Sequence, residues 1–180
     1  MRHPNDFYPT PKLLTKQLID RIPIHLSDSI FEPCAGDGAI VHFLQQLGYS
    51  IEGNDIDPQF GWNYDLGDAT KDMWVSLRTR PDWVITNPPF DRAHLILPLA
   101  YECATVGVAF LLRLTYLEPA GNRGEWLRSQ SPNFSNLIIF GQPRPSFTNN
   151  GKVDSCTVAW MVWRKHWADG CQVDFVFDWK

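Results

Sequence analysis

Asn87-Pro88-Pro89-Phe90 is the segment of this chain best suited to chemistry. Two consecutive prolines fix both φ angles and remove two N–H donors, so a carbonyl in the turn can face a pocket without a competing donor beside it. Asn87 adds a neutral acceptor oxygen and Phe90 a flat ring. Together they suit a planar ring that carries an amino group, with two acceptors for its two hydrogens and a flat face to stack on. The turn follows the short apolar run Trp83-Val84-Ile85, which reads as a strand in the middle of a sheet. That position brings it to the carboxyl-end crevice where α/β folds bind ligands.

Upstream by 51 residues lies a second segment with chemical meaning, Gly36-Asp37-Gly38, set between the strand Ser29-Ile30-Phe31 and a helical pattern from Ala39 to Leu47. Glycines at such a turn let the backbone approach a ligand beside a helix N-terminus. The dinucleotide fingerprint requires a third small residue at position 41, where this chain has Val41, so a nicotinamide or flavin ligand fits poorly. Asp55 stands 19 residues after Gly36, at the end of the next strand, where a carboxylate grips ribose hydroxyls. Asp68, in Gly67-Asp68-Ala69, precedes the following helical pattern and suits a hydrogen bond from an adenine amine. Their order after the glycine turn points to a ligand that carries adenosine.

These residues need a scaffold, and the periodicity predicts one. Thr10-Pro11 followed by Leu13, Leu14, Leu18, Ile19 and Ile22 reads as an N-capped amphipathic helix with proline at its first position. Tyr49 to Gly53 reads as a strand, Lys71 to Thr79 and Ala93 to Ala104 as helices, and Val106 to Leu114 as a buried parallel strand. Glu118 to Leu127 reads as a helix, then Asn136 to Phe140 and Thr157 to Trp163 as strands. Strands alternating with helices predict an α/β, Rossmann-like fold, mostly parallel, with helices on both faces and an antiparallel strand near the C-terminus. Val158 and Trp160 share one face of their strand and Ala159, Met161 and Trp163 the other, so core packing is expected there rather than base stacking.

Composition narrows the possibilities further. At 180 residues and 44% hydrophobic, the chain is one domain's worth of ordered protein, expected as a single unit over residues 1–180. The longest apolar stretch, Val106 to Leu112, is far below the roughly 20 residues of a membrane helix, and no secretory h-region follows Met1. Cys34, Cys103, Cys156 and Cys171 are too scattered for a zinc site, so reduced thiols, no metal and a cytoplasmic location are expected. Charge is uneven: residues 1–112 carry 8 Lys and Arg against 14 Asp and Glu, residues 113–165 carry 7 against 3. The second stretch holds the candidate phosphate contacts Arg113, Arg123, Arg128, Arg144 and Lys152.

Taken together, these motifs resemble the class I S-adenosylmethionine-dependent methyltransferases, in particular the amino-methyltransferase group whose members methylate adenine in DNA. Glu32-Pro33-Cys34-Ala35-Gly36-Asp37-Gly38 is similar to the group's acidic-then-glycine cofactor motif, Asp55 and Asp68 to its ribose and adenine contacts, and Asn87-Pro88-Pro89-Phe90 to its catalytic tetrapeptide. Phe7-Tyr8-Pro9-Thr10-Pro11 resembles the segment over the methionine end of the cofactor, and Pro145-Ser146-Phe147-Thr148 the loop whose aromatic ring stacks on the flipped base. The likeness spans about residues 7–165 and is greatest to small phage- and prophage-type members. It implies S-adenosylmethionine as cofactor, held by Tyr8, Thr10, Glu32, Pro33, Cys34, Ala35, Gly36, Gly38, Asp55, Asp68 and Asn87. It implies DNA as substrate, stacked by Phe90 and Phe147, with Arg113, Arg123 and Arg144 toward the backbone.

The group's usual target-recognition region has no counterpart in 180 residues, which implies a partner that supplies recognition. Asn-Pro-Pro-aromatic also occurs in relatives that methylate guanine amines in ribosomal RNA or a protein glutamine. RNA and protein are therefore the alternative substrates. A cofactor-binding subunit working through a partner is the non-enzymatic alternative, against which the intact tetrapeptide argues. His3, His25, His42, His94 and His166 have no spacing that nominates a general base.

Overall fold

A computed structural model describes residues 9–62, 67–145, 147 and 156–177. In chain order the elements are α1 (Lys12–Ile19), β1 (Ser29–Glu32), α2 (Ala39–Gln46), β2 (Ser50–Gly53), β3 (Trp83–Thr86), α3 (Ala93–Cys103), β4 (Gly107–Arg113), α4 (Gly121–Gln130), β5 (Phe134–Phe140), β6 (Val158–Arg164) and β7 (Gln172–Val176). The seven strands form one sheet in the order β2-β1-β3-β4-β6-β5-β7. Every neighbouring pair is parallel except those of β6, which runs antiparallel to both β4 and β5. This is the mostly parallel α/β sheet with one antiparallel strand that the sequence predicts.

Alternation along the inner strands sorts side chains into two layers. Ile30, Ile85, Ala109, Leu111, Trp160 and Val162 turn to one face, where Leu14 and Leu18 of α1 and Ile40 and Leu44 of α2 cover them. Val84, Val108, Phe110, Leu112, Met161 and Trp163 turn to the other, under Ile96, Leu97 and Ala100 of α3. β6 lies inside the sheet between β4 and β5 and is buried on both faces by the two core layers, so its tryptophans are core residues, as expected. The one polar atom of the Trp160 ring is satisfied within the core, its indole N–H donating to the Leu14 carbonyl at 2.8 Å.

Three expectations are corrected. The Lys71 to Thr79 helix is only a 3-10 segment, Asp72–Ser76. Side chains fix it instead: the Trp74 indole donates to the Ala69 carbonyl at 2.9 Å and meets Phe31 edge-on. Pro11 occupies the cap of α1, with no side-chain cap, so Thr10 does not serve that helix. β7 was not anticipated. Val173, Phe175 and Phe177 alternate as a strand should, yet this apolar set faces outward, with Val173 49% and Phe175 63% exposed. Its place comes from parallel pairing with β5 rather than from burial of that set. No helix among the described residues is long and apolar enough to cross a membrane.

Candidate active site

The carboxyl ends of β1, β2 and β3 open onto a cavity of about 740 Å³. Its wall is formed by Glu32 to Asp37 after β1, Asp55, Ile56 and Asp57 after β2, Asp68 to Lys71, Asn87 and Pro89 after β3, and Pro9 and Thr10 ahead of α1. Parallel strands make this crevice because neighbouring loops leave their carboxyl ends in different directions.

The glycine turn brings Gly36 to the cavity wall, whereas Gly38, expected as a cofactor contact, does not line it. Gly36 and Gly38 have φ of +52° and +83°, which side-chain-bearing residues rarely adopt. The Gly38 N–H donates to the Ala35 carbonyl at 2.8 Å, and Gly38 then caps α2. A Cβ on Gly38 would lie 2.6 Å from His42 Cε1 and 2.8 Å from Trp62 Cζ2. Trp62 closes the turn from behind, its indole N–H donating to the Gly36 carbonyl at 2.6 Å. Gly38→Ala is therefore expected to lower the melting temperature and weaken ligand binding together, read by thermal denaturation and calorimetry on one sample. A variant with wild-type values for both would show that the turn tolerates a side chain.

Asp55 joins two of these loops. Its Oδ2 accepts the Gly36 N–H at 2.8 Å and its Oδ1 the Asp57 N–H at 2.9 Å. A carboxylate has about four lone-pair positions, so both oxygens keep capacity for a ligand. Burial raises its pKa, opposed by the amides of Asp57 and Gly36. Asp68 lies across the cavity. Burial acts to raise its pKa, but the amide and hydroxyl of Thr70 and the Lys71 ammonium at 3.1 Å outweigh it and hold the carboxyl below its ordinary value.

Glu32 is the deepest acid of the wall at 2% exposure. Its Oε2 is buried and has no hydrogen-bond partner among the described residues. Burial drives its pKa well upward despite a bond from the Val41 amide, and Asp55 and Asp37 add to the rise. Burial and the Asp55 and Glu32 charges likewise push the Cys34 thiol up, which makes it a neutral wall residue rather than a nucleophile.

Asn87 reaches the wall with its orientation fixed: its Nδ2 donates to Thr10 Oγ1 at 3.0 Å. Thr10, expected both as a helix cap and as a site residue, thus acts in the site. Of the rest of the tetrapeptide, Pro89 lines the cavity, whereas Pro88 is buried and Phe90, expected as a stacking ring, is half-buried against both core layers and absent from the cavity wall. The Arg113 guanidinium lies over the Phe90 ring, 4.7 Å from its centroid.

Other expected residues lie elsewhere. Phe147, anticipated as a second stacking ring, is absent from the cavity wall and is buried to 8% exposure in the core layer of Ile138, Phe140 and Trp160. Pro145, two residues earlier, is buried as well. Arg123 bonds the Glu118 carbonyl at 2.7 Å and lies over Tyr116, and Arg144 is half-buried; neither lines the cavity. Tyr8, Ser146, Thr148 and Lys152 lie outside the described residues.

Some site residues escaped the sequence reading. Asn54, fully buried, donates from Nδ2 to the Pro33 and Gly67 carbonyls at 3.2 and 3.0 Å. Its backbone exchanges bonds with Glu32 and Ala35, so one side chain ties the glycine turn to the Asp68 loop. Its only signal was an asparagine at a strand end directly before Asp55. Ile56, 60% exposed, and Phe60 add apolar surface to the cavity wall beside Asp55 and Asp57. An exposed apolar residue beside a ligand-type aspartate was the available clue.

The fold has counterparts among solved structures. The chain superposes on the type I restriction enzyme EcoKI M protein with a TM-score of 0.64 at 15% identity, covering 86% of this chain and 43% of that one. It matches the type I restriction-modification methyltransferase subunit from Streptococcus thermophilus with a TM-score of 0.61 at 16% identity, covering 88% and 45%. The fold is that of the class I methyltransferases. The likeness extends to a dimethyladenosine transferase from Plasmodium falciparum, with a TM-score of 0.59 at 15% identity, covering 87% and 62%. At these identities the shared property is the class I fold. The chain spans less than half the length of the type I subunits. No protein-family model and no curated protein matches the sequence.

Proposed function

We propose that this chain transfers a methyl group from S-adenosylmethionine to the exocyclic amine of adenine in DNA. The observation that carries the reading is Asn87, oriented by Thr10 on the wall of an acidic cavity beside the glycine turn. The residues present fit the cofactor. Glu32 offers a buried, unpartnered oxygen to a cationic or donor group. Asp55 keeps acceptor capacity for ribose hydroxyls, Asp68 suits the adenine amine, and Ile56 and Phe60 give its ring an apolar rim. When bound, the cofactor supplies an activated methyl group on a sulfonium.

The chain's own residues then have one task, to present the amine. An aromatic amine is a poor nucleophile because its lone pair is delocalised into the ring. Hydrogen bonds from its two hydrogens to Asn87 Oδ1 and the Pro88 carbonyl localise that lone pair on nitrogen. Correct orientation alone is worth up to ~7–11 kcal/mol of barrier. No histidine lines the cavity among the described residues. The proton released from nitrogen passes to solvent, and no strong base is required. A base within a duplex must first be flipped out, at a cost of a few kcal/mol. Recognition of the target site by a partner belongs to the same proposal.

Asp55→Ala is expected to weaken cofactor binding by about 1.5–3 kcal/mol, the contribution of a hydrogen bond to a charged group. Calorimetry on the variant and the wild type measures this, with Asp55→Asn as a control that keeps the shape. Wild-type protein that binds no S-adenosylmethionine would end the proposal. Tritiated methyl transfer onto DNA, RNA and protein, followed by nucleoside analysis, identifies the acceptor.

A further inference from the structure

We infer that Arg113 and Phe90 act as one unit that recognises a phosphate of the substrate, so that the target amine arrives on a nucleotide; this rests on the methyl-transfer reading above. Arg113 ends β4, and the pairing of Thr86 with Phe110 sets it three residues past that level, beside the turn that carries Asn87. Its guanidinium lies on the Phe90 ring at 4.7 Å. The side chain is exposed, and no carboxylate pairs with it among the described residues. Arg92, the other arginine at this edge, has Asp91 at 3.8 Å.

The surrounding charge makes such a cation necessary. Asp37, Asp55, Asp57, Asp68 and Asp91 line the cavity, with only Lys71 and Arg92 as cations on its described wall. That field draws in a cationic ligand and repels phosphate. A nucleic acid reaching Asn87 therefore needs a positive contact at the turn itself. Arg113 supplies it, and stacking on Phe90 holds the planar guanidinium ready, so that little side-chain freedom is lost when a phosphate binds. A protein side-chain amide carries no charge to engage this cation.

The test is binding of a short oligodeoxyadenylate to the cofactor-loaded protein over a range of salt concentrations. Arg113→Ala should weaken binding roughly ten-fold at low salt. The slope of log affinity against log salt should fall by about 0.7, the share of one phosphate on a single strand. Cofactor affinity should stay at the wild-type value. Phe90→Leu should also weaken binding, and most of its effect should vanish when Arg113→Ala is already present, because the ring acts through the guanidinium. An unchanged salt slope in Arg113→Ala, fully additive effects in the double variant, or no oligonucleotide binding by the wild type would each overturn the inference. Failure of the underlying reading shows separately, in wild-type protein that transfers methyl groups to no nucleic acid.

Discussion

Asn87→Ala is expected to lower methyl transfer by about 10²–10³-fold, the loss that follows removal of one preorganised hydrogen-bonding group from an active site. Cofactor affinity should fall far less, because in the proposed reading Asn87 serves mainly the amine while Glu32, Asp55 and Asp68 supply most of the cofactor contacts. The Thr10 hydroxyl loses its partner at 3.0 Å, a cost to stability of about 0.5–1.5 kcal/mol that melting curves can resolve. Thr10→Val isolates the orienting bond. It should lower the transfer rate less than Asn87→Ala does, since the amide remains but is no longer held. Single-turnover transfer and calorimetry on the three proteins decide the matter. Transfer by Asn87→Ala at close to the wild-type rate would remove Asn87 from the chemistry and leave the tetrapeptide a rigid turn.

Phe147→Ala should act on stability instead. A phenylalanine at 8% exposure in a packed layer loses about 3–5 kcal/mol on truncation, through lost transfer energy and the cavity left behind. For a chain of this size each kcal/mol moves the melting temperature by about 2–4 °C, so a fall of roughly 6–20 °C is expected. Methyl transfer per folded molecule should stay near the wild-type value, because the ring does not line the cavity. A variant that melts like the wild type but fails on nucleic acid would reverse this, and return Phe147 to the base-stacking role that its loop suggests in the sequence.

The two phenylalanines show where sequence and structure part. Phe90 follows Pro89, Phe147 stands two residues after Pro145, and both read as rings offered to a base. Phe90 stays beside the site, half-buried and covered by Arg113, while Phe147 packs into the core. Nothing local separates the two, since burial is set by which surface a loop meets after the sheet has formed. Arg113 illustrates the same point from the other side. By sequence it is one of five candidate phosphate contacts in a basic stretch, whereas the register of β3 with β4 brings it beside the turn that carries Asn87.

What the sequence determined by itself is everything written in short-range spacing. Apolar runs and periodicity marked six of the seven strands, and Gly36 and Gly38 marked a turn that only positive φ satisfies. Asn87-Pro88-Pro89-Phe90 announced rigid acceptors at a strand end, because two prolines constrain the backbone whatever surrounds them. Only the tertiary structure decided the pairings between distant segments. Thr10 reaches Asn87 across 77 residues, and Asn54 gathers the Pro33 and Gly67 carbonyls. β7 takes its place by pairing with β5 while its alternating apolar residues stay exposed. A hydrogen bond between remote groups leaves no periodic trace, because either partner alone is an ordinary polar residue. Its geometry exists only when the packed sheet has brought both ends together.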